Sequence, residues 1–273
     1  YVRGRERSRA QDDILREVEG LLERGVMQIT LLGQNVNSYG NDRSDGASFL
    51  ALLRLLDALG VPRIRFMTSH PKDLSDELIC AYGELAHLMP ALHLPVQAGN
   101  DEILQAMNRR YTRAHYLELV KKLRSVKPDV GLTSDIIVVF PSETEAQFED
   151  TLSLVREVRY DSAFTFIYSR RAGTRAAQMP DPTSAEKKTE RIQRLIDLQT
   201  EITHEILTRQ VGRQEAVLVE SVSARDPGWV GGKTPRGHMV NFPGKADLIG
   251  RFVRVEILSA GRNTLRGRQI TEV

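Results

Sequence analysis

The sequence predicts an α/β protein built on a parallel sheet and followed by a second, small all-β domain. Two observations carry this. From residue 8 to residue 168, apolar segments of strand length alternate with amphipathic segments of helix length. From residue 213 onward the helical period disappears and five short β runs follow, separated by Gly, Pro and Asp turns.

Residues 8–24 place Ile14, Leu15, Val18, Leu21 and Leu22 on one helical face, with Gly25 as a stop. The run 26–32 (VMQITLL) is the first strand. Helix 48–59, strand 63–69, helix 75–87, strand 91–96, helices 100–109 and 112–127, strand 132–140, helix 143–158 and strand 162–168 then follow. Strands spaced by helices of this length make βα units with right-handed crossovers and a parallel sheet. A series that opens on a helix is short of its first strand, so a strand and loop are expected before Tyr1, where a Met is also lacking. The stretch 169–184 is irregular and polar. A charged helix over 185–209 carries Ile192, Leu195, Ile196, Ile202 and Ile206 on one face and ends before Gly212. The expected domains are therefore 1–207 and 210–273, the second an antiparallel OB-like barrel of a kind commonly used on nucleic acid.

Composition removes several classes. Hydrophobic residues are 41 % and charged residues 27 %, and no apolar run approaches bilayer length, so a membrane span, a collagen-like repeat and disorder are excluded. Lys and Arg number 38 against 36 Asp and Glu, so net charge indicates no particular partner. A single cysteine, Cys80, forms no internal disulfide and cannot by itself hold zinc or an iron–sulfur cluster. A cytoplasmic monomer is expected. Flanked by Leu78 and Ile79, Cys80 is expected to be a buried structural thiol.

Functional groups in parallel βα sheets collect where strands end. Here those positions hold Gln34, Asn35 and Asn37, then His70, then Gln97 and Asn100, then Ser134, Asp135 and Glu143, and finally Ser169 and Arg170. Amides, hydroxyls and carboxylates converging on one mouth suit the ribose and amino-acid end of a nucleoside-like cofactor. Any one Asn could equally be a turn residue. GWVGGKT (228–234) is no phosphate-binding loop, because Pro227 occupies the position of its first glycine. The six histidines never pair at i, i+4, and Asp12, Asp13, Glu143 and Glu145 read as helix N-terminal charges. Basic clusters occur at Arg3–Arg9, Arg109–Arg110 and Arg170–Arg175. In the β domain Lys233, Arg236, His238, Arg262, Arg266 and Arg268 are interleaved with Trp229 and Phe242, a composition suited to single-stranded RNA.

RGRERSR (3–9), LLGQNVNSYG (31–40), FMTSHPKDLSDELI (66–79), LHLPVQAGNDEILQAMNRRYT (92–112), SDIIVVFPSETEAQFEDTL (134–152) and YSRRAGTRAA (168–177) resemble, in order and spacing, the radical S-adenosylmethionine methylthiotransferases. The resemblance covers essentially the whole chain. The last domain resembles a TRAM domain, and GKTPRGHMVNFPG (232–244) is similar to the type found in the family's tRNA-modifying members rather than those that act on a ribosomal protein.

The resemblance implies a partial TIM barrel of six βα units, its first strand missing here. It also implies S-adenosylmethionine as cofactor, cleaved at a 4Fe-4S cluster, and a second cluster that assists sulfur insertion. The implied reaction is methylthiolation at C2 of N6-isopentenyladenosine beside the anticodon, with the tRNA anticodon stem-loop as partner and no membrane. By motif, Gln34, Asn35, Ser69, His70, Gln97, Ser134, Asp135 and Tyr168 are expected at the cofactor or substrate mouth. Arg3, Arg9, Lys233, Arg236, Asn241 and Phe242 are expected to face RNA. The family's CxxxCxxC motif and its amino-terminal domain have no counterpart in this sequence, so ligands for either cluster are absent. The alternative function is a non-catalytic tRNA-binding fragment, and a ribosomal-protein methylthiotransferase is the third. Ser142 stands where the family pattern FPGETE has Gly, Ala98 where Ser is usual, and Arg171 and Ala172 where prolines are common.

Overall fold

Short polar side chains start the helices. Ser48, Ser75, Thr112, Thr144 and Ser184 each accept a hydrogen bond from the backbone N–H three residues on, and Asn100 accepts from those of Glu102 and Ile103. The structure, a computed structural model, describes residues 7–67, 69–223 and 226–270. Its first part contains α1 (Gln11–Glu23), β1 (Ile29–Leu31), α2 (Phe49–Ala58), β2 (Ile64–Phe66), α3 (Asp76–Glu84), β3 (Ala91–His93), α4 (Asp101–Ala106), α5 (Arg113–Val126), β4 (Gly131–Val138), α6 (Glu145–Val158), β5 (Ser162–Ile167) and α7 (Ala185–Thr208).

The five strands are parallel and lie in chain order. One ladder pairs β1 with β2 and another pairs β3, β4 and β5. A parallel bridge between Ile64 and Leu88 joins the two ladders. Ile64, Phe66, Leu92, Leu132, Ile136 and Val138 bury one face against the helices. The alternate residues Arg65, His93, Thr133, Asp135, Phe164 and Phe166 line the other face, which is left partly open. The result is the expected partial α/β barrel, with shorter strands. Near β3 the backbone ladder continues irregularly past His93, with Gln97 N–H donating to the Asp135 carbonyl at 2.9 Å.

Cys80 corrects the sequence reading, because it is exposed. Leu78, Ile79, Ala81 and Tyr82 form the buried face of α3, and steps of about 100° per residue leave Cys80 on the opposite side. Glu143 is a second correction. It lies before α6, whose first turn carries Glu145 instead.

The second part contains β6 (Gln214–Val222), β7 (Trp229–Lys233), β8 (Met239–Pro243), β9 (Phe252–Ala260) and β10 (Leu265–Gln269), closed into a barrel in the order β10-β8-β7-β6-β9. The pairing of β8 with β10 is parallel, so the barrel is not antiparallel throughout as the runs alone suggested. Val217, Val219, Val230, Val240, Phe242 and Val255 fill it.

The two parts join at the beginnings of the parallel strands. Arg63, just before β2, donates to the carbonyls of Lys233 and Ala216 at 3.0 Å each and stacks 4.7 Å from the Phe252 ring. Burial there pushes its guanidinium down to about 10. Asp161, just before β5, accepts from Leu132 N–H (2.8 Å), Arg236 Nη2 (2.8 Å) and His238 Nε2 (2.7 Å). Gly131 opens β4 because a Cβ there would lie 2.7 Å from the Arg236 carbonyl oxygen. The β7–β8 turn therefore closes the N-terminal end of the half-barrel and leaves the C-terminal end free.

Candidate cofactor mouth and nucleic-acid face

At the free end, the loops predicted to carry chemistry converge on two hollows. Gln34, Asn35 and Arg9 line a groove of about 730 Å³ beside α1 and β1. Gln97, Asp135 and Tyr168 line a larger one of about 1220 Å³, together with Arg109, Arg171 and Arg175. Ser69 and His70 belong to the loop after β2. His70 accepts from Lys72 N–H through Nδ1 at 3.2 Å and approaches Arg109 Nη1 at 3.5 Å through Nε2. Desolvation first, then the Arg109 charge, lowers the His70 pKa, so the ring is held neutral beside a cation.

Several polar atoms of these loops are buried without a hydrogen-bond partner: Asn35 Oδ1 at the smaller groove, Arg109 Nε and Tyr168 Oη at the larger hollow, and Ser69 Oγ in the loop after β2. Burying such groups unmatched costs about 1–3 kcal/mol each, which a ligand supplying partners removes. Asn35 is otherwise held by Nδ2 donating to Asp73 Oδ2 at 2.5 Å. Backbone strain collects in the same place. Of the five non-glycine residues with positive φ among the described residues, Gln97 (71°), Asn108 (58°), Val139 (58°) and Ser142 (69°) all lie in loops around the larger hollow. Ser142 thus adopts the left-handed conformation that its glycine-like position demands, and its hydroxyl donates to the Pro180 carbonyl at 3.2 Å. Glu143 fixes the turn by accepting from Val139 N–H at 2.7 Å and lying 3.3 Å from Arg191 Nη1. Burial pushes its carboxyl up to about 7, against the opposing pull of the Val139 N–H and Arg191.

The Radical SAM superfamily profile matches residues 1–155, and a TRAM domain profile matches residues 208–270. The chain belongs to the radical SAM superfamily. Curated relatives include the tRNA-2-methylthio-N(6)-dimethylallyladenosine synthases of Thermoanaerobacter pseudethanolicus (50 % identical over 271 residues) and Moorella thermoacetica (49 % over 271), each matching 99 % of this chain. That of Pelobacter propionicus is 51 % identical over 268 residues, 98 % of this chain. The chain spans only 58 %, 61 % and 61 % of those relatives respectively. Among solved structures, coproporphyrinogen III oxidase from Escherichia coli superposes with a TM-score of 0.52 at 18 % identity, over 84 % of this chain and 61 % of that one, which speaks to the fold alone.

The radical SAM half-barrel does not present every predicted mouth residue. Ser134 is fully buried on the helix-facing side of β4, where its hydroxyl accepts from Val96 N–H at 2.9 Å and donates to the Leu94 carbonyl at 3.1 Å. It ties two strands together and does not reach the mouth. Asp135, one residue on, faces the open side with its carboxylate 3.6 Å from His93 Nε2. Gln97 is 7 % exposed at the hollow's edge. The lone, exposed Cys80 sits on α3, and among the described residues no group of three His, Cys, Asp or Glu could hold a metal. The residues present therefore do not fit a cluster that needs three thiolates, whereas the amide, hydroxyl and carboxylate side chains lining the two hollows are of the chemistry that hydrogen-bonds a nucleoside.

On the TRAM barrel the predicted RNA-facing set divides. Phe242 is a correction: it is completely buried, because alternate residues of β8 point into the barrel, and it serves as core. Arg236 is committed to Asp161 across the domain seam, and Lys233 pairs with Glu220 at 3.2 Å. Asn241 is on the outward face of β8, beside Gly231 of β7 and Arg266 of β10. Trp229 shares that face with Arg266 stacked 5.2 Å over its ring. Arg9 is exposed in the half-barrel and pairs with Glu17 at 2.7 Å, while Arg3 lies outside the described residues.

The open face of the sheet carries polar and aromatic side chains that do not lie at strand ends. His93, Arg65, Phe164 and Phe166 lie within strands, and the available signal was the period of two along each strand, which puts them on the face opposite the helix-packed residues.

Proposed function

We propose that this chain is the radical SAM half-barrel and RNA-binding TRAM barrel of a tRNA methylthiotransferase, which modifies C2 of N6-isopentenyladenosine beside the anticodon. The observation that carries this is identity of about 50 % along 99 % of the chain with tRNA-2-methylthio-N(6)-dimethylallyladenosine synthases. S-adenosylmethionine, when bound, supplies the radical and methyl chemistry. The chain's own residues bind and orient it: Asp135 and Gln97 take the ribose hydroxyls, Asn35, Ser69 and Tyr168 offer unpaired polar atoms to its remaining groups, and Gln34 and His70 flank the opening. The anticodon stem-loop lies on the TRAM face of Trp229, Asn241 and Arg266, with Arg9 and Lys233 contributing at its margins. The protein is a cytoplasmic monomer. With one cysteine, this chain by itself binds RNA and cofactor without performing the radical step.

Equilibrium binding of an anticodon stem-loop RNA tests the reading. Trp229→Ala should weaken binding by about 1–3 kcal/mol, the range of one base stacked on an aromatic ring. Arg266→Ala should weaken it and lower the slope of log affinity against log salt by about one. Unchanged affinity in both variants would remove the TRAM face from the account.

A further inference from the structure

Phe166 and Ile167 of β5 give the larger hollow an apolar side, Phe164 extends it two residues back along the same face of the strand, and these side chains stay exposed among the described residues. Phe164 and Phe166 are 56 % and 51 % exposed, and Ile167 is 38 % exposed. Their cross-strand partners are Asp135 and Ile137, which places both rings on the open face of the sheet, and the Phe164 ring lies edge-on to His93 at 6.2 Å. Helix α7 covers the other side of β5. Adjacent exposed aromatics beside a polar hollow mark a surface that a ligand completes.

The rest of the hollow says what kind of ligand. Arg109, Arg171 and Arg175 line it with Glu102 and Asp135, an excess of cations that complements phosphate. A nucleotide fits this combination if it also presents an apolar group. Resting on the tRNA reading above, that group is identified by the relatives' own names, which carry a dimethylallyl substituent on N6 of adenosine. We propose that Phe164 and Phe166 form the wall against which the N6-dimethylallyl group of the target adenosine lies, and that they select prenylated over unprenylated RNA. The five-carbon group leaves water for two aromatic faces, while an unmodified adenosine leaves them wet. Discrimination by a few apolar carbons is on the order of tenfold or more.

Two stem-loop RNAs that differ only in the dimethylallyl group, titrated by fluorescence anisotropy, test this. The wild-type chain should bind the prenylated RNA on the order of tenfold more tightly. Phe164→Ser with Phe166→Ser should abolish that preference while leaving affinity for the unprenylated RNA unchanged. Phe164→Leu with Phe166→Leu should keep most of it, and since both rings are largely exposed, both double variants should retain the wild-type circular dichroism spectrum. Equal binding of the two RNAs by the wild-type chain would overturn the wall while leaving the tRNA reading standing, as would a preference that survives in the serine variant. Binding of neither RNA would overturn the tRNA reading and the wall with it.

Discussion

Asp161→Ala should loosen the TRAM barrel from the half-barrel and cost about 3–5 kcal/mol in urea or thermal unfolding, the range for removing one partner of a buried ionic cluster. Both oxygens of this carboxylate are used. It holds Leu132 N–H at the start of β4 and, across the seam, Arg236 and His238, with side-chain exposures of 5 %, 19 % and 7 % for Asp161, Arg236 and His238. Alanine leaves the buried imidazole without its carboxylate and the partly buried guanidinium with only Asp129 at 4.0 Å, so a single cooperative transition should split into two. A loss below about 1 kcal/mol, with one transition retained, would show that the cluster does not couple the domains. The cluster also has a pH signature. Burial works to raise the Asp161 carboxyl, but the His238 hydrogen bond and the Arg236 charge prevail and hold it below its ordinary value of 3.8. The folded state thus binds this proton less tightly than the unfolded chain. The stabilisation is complete above the ordinary carboxylate pKa and is lost as pH falls below about 3.8 toward the folded-state value, a loss that Asp161→Asn should not show.

Phe242→Ala should be almost as damaging, by about 3–5 kcal/mol, because it empties a ring-sized volume in the core of a small barrel. Phe242→Leu should cost far less and leave RNA affinity near wild type, since no Phe242 surface is available to stack a base. If the leucine variant stays folded and loses RNA binding as strongly as Trp229→Ala, Phe242 contacts RNA and the assignment of the outward face is wrong.

Much of the fold was legible because it rests on local periodicity. Helix faces, polar N-caps and the alternation of strands with helices are written within ten or twenty residues, and each predicted strand of the half-barrel is present in shortened form. The place of the candidate site was legible in part, since Gln97 and Asp135, both singled out by motif order, line the same hollow. Three failures share a physical cause, which is that a residue's neighbours in sequence do not set the direction of its side chain. Cys80, between Ile79 and Ala81, was read as buried, yet the helix turns it outward. Phe242 was grouped with nearby cations, yet the pleat of β8 turns it inward. Ser134 and Asp135 were read as a pair, yet adjacent strand residues face opposite sides, so only Asp135 reaches the open face. Arg236 fails differently, since its partner Asp161 is 75 residues away and no local pattern encodes the seam.

The free end of the half-barrel is expected to hold a nucleoside cofactor through this chain's own polar groups. Isothermal titration of S-adenosylmethionine into the wild-type chain and into Asp135→Asn and Gln97→Ala tests it most directly. The account predicts saturable binding to one site, weakened on the order of tenfold in each variant, the cost of one lost hydrogen bond to a charged or strained partner. Binding of equal strength in all three proteins, or no binding to the wild-type chain, would contradict it.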